Sequence, residues 1–231
     1  MLFVGHISLA FLIVYSISLK FQGVRKAVSI AVVMLLSILP DIDMIFRLVG
    51  IDLGHRTFTH SAIIWLIIGG ITISFFTIKY RKGSVAAVYL IAYLSHLVIG
   101  DVIVAPINLL YPLGDFIVNS PIKGGSLQHI MLETVLFALM AAVVITRYYL
   151  FKSRSEDIFL FRYHYKVDTF LYPVLVLAIT VSFFYVVAEF ELNLVELSVL
   201  TLLHFGIISL IVLIWLVSKS ARRQERIVYN P

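Results

Sequence analysis

Long apolar segments separated by short polar ones dominate this chain. A membrane-spanning helix needs about 20 predominantly apolar residues, and most of these segments approach that length. The pattern therefore predicts an all-α, polytopic membrane bundle with about seven transmembrane spans. The segments lie at about residues 2–19, 27–40, 61–78, 84–100, 130–146, 169–188 and 197–217.

The second apolar segment differs from the others in its length. It covers about residues 27–40 and ends at Pro40, directly before an acidic pair. Proline has no backbone N–H and interrupts the hydrogen-bond ladder of a helix. We therefore expect a half-helix that ends inside the protein at this position.

The composition supports an integral membrane protein with one domain. Hydrophobic residues make up 61% of the chain and charged residues only 13%, whereas a soluble domain has about 25% charged residues. There is no cysteine, so disulfides and thiolate ligands are excluded. We expect a single domain over residues 1–231, with a motif-bearing core at about 1–130 and C-terminal spans and a basic tail at 131–231.

The basic residues predict the orientation of the chain. Lys and Arg are retained in cytoplasmic loops, so the N-terminus is expected outside and the C-terminus inside. This bias accounts for the net charge of +5 without a nucleic-acid partner, and the basic tail is suited to anionic membrane lipid. Fifteen of the 18 Lys and Arg residues fall in alternate loops or in the tail: Lys20, Arg25, Lys26, Lys79, Arg81, Lys82, Arg147, Lys152, Arg154, Arg162, Lys166, Lys219, Arg222, Arg223 and Arg226.

Three short polar clusters interrupt the apolar pattern. They are the segments 40–43, 55–60 and 96–101, and each contains Asp or His. The predicted orientation places all three at the extracytoplasmic ends of spans or in the outer loops. Ionisable groups near hydrocarbon are costly unless they are paired, solvated or bound to a cation. The clusters are therefore candidates for a functional site that faces the extracytoplasmic side of the cell membrane.

The spacing within the clusters limits how their side chains can meet. Asp41 and Asp43 are two residues apart and repel each other unless a positive charge lies between them. His55 and His60 are five apart, so they have to converge from a loop and the start of the third span. His96 and Asp101 are also five apart, which is roughly 140° around an ideal helix. Either that helix ends by Gly100 or it contains a one-residue bulge.

Three further ionisable residues lie near the same predicted face. His6 is a single histidine in the first span and, taken alone, indicates a hydrogen-bonded structural role. His129 and Glu133 are four apart and share one helix face. They could add a metal ligand or a general base, but a simple pair on the helix surface fits equally well.

Taken together, these motifs resemble the membrane-bound metal-dependent hydrolase family. This group contains the LexA-regulated inner-membrane hydrolases of bacteria and many archaeal members. The order of the motifs matches over about residues 5–115. The matching strings are Gly5-His6, LPDID at 39–43, HRTFTHS at 55–61, Ser95 to Asp101, and NLLYP at 108–112.

The resemblance implies a divalent-metal hydrolase. In that family the third motif more usually places the Asp four residues after the His, whereas here the separation is five. The motif also resembles, distantly, the helical zinc-dependent phospholipase C and nuclease group, which hydrolyses phosphoesters. The positions that match the family's His/Asp pattern are His6, Asp41, Asp43, His55, His60, His96 and Asp101.

The candidate residues also indicate the chemistry. Seven potential ligands exceed the three or four that one catalytic zinc needs, so two or more ions are favoured if most of them converge. Nitrogen and oxygen ligands suit zinc, manganese or iron alike. Asp43, or a neighbouring carboxylate that binds no metal, is our candidate general base. Arg56 lies inside the second cluster and is suited to a phosphate oxygen, so we expect a phosphoester or phosphodiester of a lipid or membrane-associated substrate.

Two other functional classes remain open. A membrane metalloprotease would also need metal ligands, but the sequence has no His-Glu-x-x-His motif. A metal or proton-coupled transporter would also use Asp and His within the membrane. A transporter of this kind would need polar residues through the whole thickness of the membrane. The inner halves of these spans contain almost none, which favours a one-sided pocket.

Overall fold

A computed structural model describes residues 1–41, 58–104, 106–114, 116–154, 160–161, 164–189 and 192–229. Its architecture is a bundle of helices, and the described strands form only one two-stranded antiparallel ribbon, in which Ile107 pairs with Val118. The helices are α1 (Phe3–Lys20), α2 (Gln22–Ala27), α3 (Ile30–Ile38), α4 (Ala62–Tyr80), α5 (Gly83–Leu94), α6 (Leu127–Arg154), α7 (Tyr165–Glu189) and α8 (Leu194–Tyr229), and the strands are β1 (Ile107–Asn108) and β2 (Ile117–Val118).

Four shorter helical segments connect these elements around the polar clusters. A 3₁₀ turn, Leu39–Asp41, follows α3, and a second 3₁₀ turn, Phe58–His60, precedes α4. A π-helix, Ser95–Asp101, continues directly from α5 and leads into a last helical turn, Val102–Val104. Each of the three polar clusters therefore contributes residues at the end of a helix.

The described helices confirm the predicted polytopic membrane bundle. Six of them are long and apolar enough to cross a membrane: Phe3–Lys20, Ala62–Tyr80, Gly83–Val104, Leu127–Lys152, Val167–Ala188 and Leu194–Ala221. The remaining predicted segment, Ile30–Asp41, is a shorter apolar helix. At 1.5 Å per residue it is about 18 Å long, which is less than the roughly 30 Å thickness of the hydrocarbon core.

Local sequence signals explain where the helices next to the clusters begin and end. The hydroxyl of Ser61 accepts a hydrogen bond from the backbone N–H of Ile64, so α4 begins immediately after His60. Ser29 caps α3 in the same way. At the other end of α3, Pro40 coincides with the change from α-helix to a 3₁₀ turn.

The hydrophobic core lies between α1, α3 and the three C-terminal helices. Phe11, Met34, Ile179 and Ile207 are fully buried there. In contrast, only 6% of the α4 span is buried, so this helix lies at the periphery of the bundle. The described residues of the three polar clusters meet at one end of the core, where α1 and α4 begin and where α3 and α5 end.

Candidate metal centre

Four acidic and imidazole side chains from three separate elements converge at this end of the bundle. Asp41 ends the turn after α3, and His60 ends the turn before α4. His96 and Asp101 come from the π-helix. All four side chains are buried, and each offers one potential ligand atom within 4.8 Å of the others.

The distances between these atoms match those in a compact metal site. His60 Nε2 lies 3.2 Å from Asp41 Oδ1 and 3.1 Å from Asp101 Oδ2. His96 Nε2 lies 3.5 Å from Asp41 Oδ1 and 3.4 Å from Asp101 Oδ2. Ligand atoms about 2.0–2.1 Å from a tetrahedral zinc ion are about 3.3 Å from one another. The four nitrogen–oxygen separations therefore fit the edges of one coordination sphere.

The π-helix explains the five-residue spacing of His96 and Asp101. A π-helix forms backbone hydrogen bonds from i to i+5, so residues five apart lie on nearly the same face, instead of roughly 140° apart as in an α-helix. In the segment Ser95–Asp101 this geometry directs both side chains into the cluster. Of the two alternatives left open by the sequence, the bulged helix is the one that the structure contains.

His6 lies beside the four residues rather than among them. Its Nε2 is 3.5 Å from Asp101 Oδ1 and 3.9 Å from Asp41 Oδ2. Its ring stacks on that of His96 with the ring centroids 3.5 Å apart. Asp101 Oδ1 also accepts a hydrogen bond from the amino group of Met1 at 3.1 Å. His6 is thus close enough to the carboxylates to serve as an additional ligand.

Hydrogen bonds to the second nitrogen of each imidazole orient the cluster histidines. His96 Nδ1 lies 2.7 Å from the carbonyl oxygen of Ser37. Because a carbonyl only accepts, Nδ1 carries the proton and Nε2 presents its lone pair to the cluster. His60 Nδ1 lies 3.0 Å from the hydroxyl oxygen of Thr59. Metal-binding histidines are typically fixed by such outer partners.

Several buried polar atoms in the cluster lack well-formed hydrogen bonds. Among the described residues, both ring nitrogens of His6, Nε2 of His96 and Oδ2 of Asp101 have no hydrogen-bond partner. Buried polar atoms are rarely left in this state, since it is costly. A divalent cation would coordinate several of them at once and would neutralise the two buried carboxylates. The donor set therefore fits a divalent metal ion.

The cluster carboxylates also change the protonation of His60, which lies outside the membrane-spanning helices. Burial lowers the pKa of this imidazole, but the carboxylates of Asp101 and Asp41, 3.1 and 3.2 Å from its Nε2, raise it, and the net result is a pKa above the ordinary 6.5. A cation at this site would take the place of the proton in balancing the carboxylates.

Two aromatic side chains form hydrogen bonds with the backbone next to His60. From the hydropathy pattern alone, both are ordinary residues of membrane spans. Tyr93 donates its hydroxyl proton to the carbonyl oxygen of Thr59 at 2.6 Å, and the indole N–H of Trp65 donates to the same oxygen at 3.1 Å. Neither these two residues nor Ser37 and Thr59 are predicted from the sequence as part of the site. Contacts to backbone carbonyls leave no spacing signal that would have revealed them.

His129 and Glu133 form a second buried pair near the start of α1. Their side chains are 6% and 0% exposed, and His129 Nε2 lies 3.2 Å from Glu133 Oε1. The same carboxylate oxygen accepts the backbone N–H of Leu2 at 2.7 Å. The pair is therefore not a surface pair, and its described contacts hold the beginning of α1 rather than a cluster residue.

Three of the predicted site residues, Asp43, His55 and Arg56, lie outside the described residues. Of the predicted site residues, the structure therefore brings together Asp41, His60, His96 and Asp101, with His6 at their edge. The roles of Asp43, His55 and Arg56 stay predictions.

Comparison with known proteins agrees with the motifs. The model of the YdjM inner membrane protein family matches residues 1–221, which is nearly the whole chain. The match confirms the inner-membrane family that the motifs resemble, and together with the six apolar helices it supports a multi-pass membrane protein. No curated protein and no solved structure matches the chain.

Proposed function

We propose that this chain, which belongs to the YdjM inner membrane protein family, is a membrane-embedded, metal-dependent hydrolase. The observation that supports this proposal best is the convergence of Asp41, His60, His96 and Asp101 at nitrogen–oxygen distances of 3.1–3.5 Å. The centre would lie at the end of the bundle where these residues meet.

The cluster is suited to a divalent transition metal. Two carboxylates and two imidazoles give a neutral set with one divalent ion, and they suit zinc, manganese or iron alike. Such an ion supplies Lewis-acid polarisation of the scissile group and activation of water. We further propose a second ion, for which His6, Asp43 and His55 are the candidate ligands.

The chain's own residues would position the ion and the substrate. The Ser37 carbonyl and the Thr59 hydroxyl orient the His96 and His60 rings, respectively. Asp43 is our candidate for the general base that takes a proton from water. Arg56 is our candidate for binding the phosphate group, since a guanidinium can donate two parallel hydrogen bonds, one to each of two phosphate oxygens.

The proposed substrate is a phosphoester or phosphodiester of a lipid or another membrane-associated molecule. The cluster lies at the ends of membrane-spanning helices, where a lipid head group is within reach. Lys20 and Lys79 lie at the opposite ends of α1 and α4 from the cluster. Because basic residues favour the cytoplasm, this arrangement supports a site on the extracytoplasmic side.

The apolar core between the two ends of the bundle disfavours the alternative of a transporter. The buried Asp168 lies at the opposite end and accepts hydrogen bonds from the Ser29 hydroxyl and the backbone N–H of His164. Between it and the cluster, the core contains residues such as Phe11 and Met34. A conduction route would need polar groups through that region.

A hydrolysis assay tests the proposal. The metal-loaded protein would be added to phospholipid vesicles, and release of phosphorylated head group or of diacylglycerol would be measured with and without a chelator. We expect chelator-sensitive release that His96→Ala abolishes and His204→Gln retains, since His204 is a buried histidine outside the cluster. If the metal-loaded protein released neither product from phospholipid vesicles, the proposed lipid phosphoesterase would be wrong.

A further inference from the structure

An apolar groove lies between α3, α4 and α5 on the side of the bundle formed by α4. It encloses about 270 Å³. At its base, Ala86 and Tyr93 are only 7% and 2% exposed, whereas Ile68 and Phe76 on α4 are 40% and 38% exposed. The groove is therefore open toward the periphery of the bundle, where a membrane-spanning helix faces lipid.

The polar atoms around the groove are turned to other protein groups. The Thr72 hydroxyl donates to the carbonyl oxygen of Ile68 at 2.8 Å. The Tyr89 hydroxyl accepts the backbone N–H of Ser29 at 2.9 Å. Tyr93 and Trp65 both donate to the Thr59 carbonyl. The groove thus presents an almost wholly apolar surface, which suits a hydrocarbon ligand without hydrogen-bonding groups.

The length of the groove matches one leaflet of a bilayer. Along α4 it extends from Trp65 to Phe76, which is about 16 Å at 1.5 Å per residue. The hydrocarbon core of a bilayer is about 30 Å thick, so one leaflet contributes about 15 Å. A single extended acyl chain therefore fits the groove from end to end.

One end of the groove lies next to the metal centre. Trp65 and Tyr93 line this end, and both bind the carbonyl oxygen of Thr59. Thr59 in turn precedes His60 and contacts its ring nitrogen. If an acyl chain occupied the groove, the group attached to its end at Trp65 and Tyr93 would therefore lie near the His/Asp cluster.

We propose that this groove binds one acyl chain of a membrane lipid, with the lipid head group at the His/Asp cluster. The placement of the head group rests on the proposed function, whereas binding of the chain depends only on the groove. The lipid would enter sideways from the leaflet that borders the cluster, and its chain would lie along α4.

Tryptophan fluorescence offers a direct test, because the chain has only two tryptophans. Trp215→Phe leaves Trp65, at the end of the groove next to the metal centre, as the single tryptophan, which can be excited selectively over the tyrosines. The protein would be reconstituted in vesicles of phosphatidylcholine with dibrominated acyl chains and in unbrominated vesicles, since bromine quenches an indole that it contacts. We expect strong quenching of Trp65 by the brominated lipid.

Variants that fill the groove distinguish quenching by a bound acyl chain from quenching by the surrounding lipid. Ala86→Phe fills it from the buried base, and Thr72→Phe fills it from the exposed rim, where misfolding is less of a risk. Each should reduce quenching about twofold, because a filled, close-packed groove leaves no space for the chain. Ile71→Phe is the matched control, since Ile71 is 66% exposed and does not line the groove.

The two proposals fail in different ways. Equal quenching in the groove-filled variants and in the control would overturn acyl-chain binding, whatever the hydrolysis assay shows. Quenching that persists in His96→Ala, combined with the expected loss in Thr72→Phe, would establish the groove independently of the metal. If this quenching pattern were observed but no hydrolysis were detected, acyl-chain binding would stand and only the proposed reaction would be contradicted.

Discussion

The backbone of Gly100 lies directly against the imidazole ring of His6. A Cβ atom at position 100 would be 2.5 Å from Cε1 and 2.6 Å from Nδ1 of that ring. The movement of this ring is restricted, because it also stacks on His96 with the ring centroids 3.5 Å apart. Glycine at position 100 therefore allows α1 and the π-helix to approach closely enough for their histidines to meet at the metal centre.

Replacing this glycine should disturb both packing and metal binding. We expect Gly100→Ala to destabilise the protein by about 1–3 kcal/mol, as overpacking of a core typically does, and to lower its metal content. Gly70→Ala is the control, because a Cβ at position 70 meets nothing within 4 Å. Thermal unfolding and elemental analysis of both variants check this. Equal melting temperatures and metal contents would show that His6 can move without cost.

The hydroxyl of Thr59 should tune metal affinity without being a ligand. It contacts His60 Nδ1 at 3.0 Å, and loss of such an outer partner typically costs about 10–100-fold in metal affinity. We therefore expect Thr59→Val to weaken metal binding within that range, as measured by chelator competition. Thr180→Val removes a hydroxyl whose hydrogen bond, among the described residues, goes to the carbonyl of Val176 in its own helix. It should leave the affinity unchanged, and an equal loss in both variants would contradict an orienting role for Thr59.

The role of Glu133 can be determined by comparing two substitutions. Its carboxylate accepts the Leu2 N–H and contacts His129. Glu133→Ala should cost about 1–3 kcal/mol, because it leaves a partly buried donor unpaired. Glu133→Gln keeps an acceptor and should be milder. Both should retain the metal of the cluster, and metal loss in the stably folded Gln variant would instead make Glu133 a ligand.

Arg56 is the predicted phosphate-binding residue. Arg56→Ala should weaken substrate use while the metal content stays at the wild-type level, since a guanidinium is not a metal ligand. Arg47→Ala, which removes another arginine of the segment between residues 43 and 60, should have little effect on turnover. Kinetic assays and elemental analysis on the same preparations check this. Loss of metal in Arg56→Ala would show that Arg56 is structural.

Hydropathy and motif spacing predicted much of the fold. The apolar segments predicted the membrane-spanning helices because span length is fixed by bilayer thickness. Pro40 and the short second segment predicted a helix that ends within the protein, and the structure has α3 and a 3₁₀ turn there. The five-residue separation of His96 and Asp101 left a bulge as one of two alternatives, because an ordinary helix cannot bring both side chains to one point.

The supporting contacts of the site could not be predicted in this way. The Ser37 carbonyl that orients His96 is 59 residues away in sequence, and any residue type supplies a carbonyl. The same holds for the Thr59 carbonyl that Trp65 and Tyr93 share. Burial of Glu133 also depends on how α6 packs against α1. Helical spacing alone cannot distinguish a buried pair from one on the surface.

Metal content is the measurement that tests the central claim most directly. Purified wild-type protein would be compared by inductively coupled plasma mass spectrometry with the Asp41→Ala/Asp101→Ala double variant and with His204→Gln. We predict at least one equivalent of a transition metal in the wild type and in His204→Gln, and its loss in the double variant. A wild-type protein that remains metal-free after reconstitution with zinc, manganese and iron would contradict the metal centre and the hydrolase proposed from it.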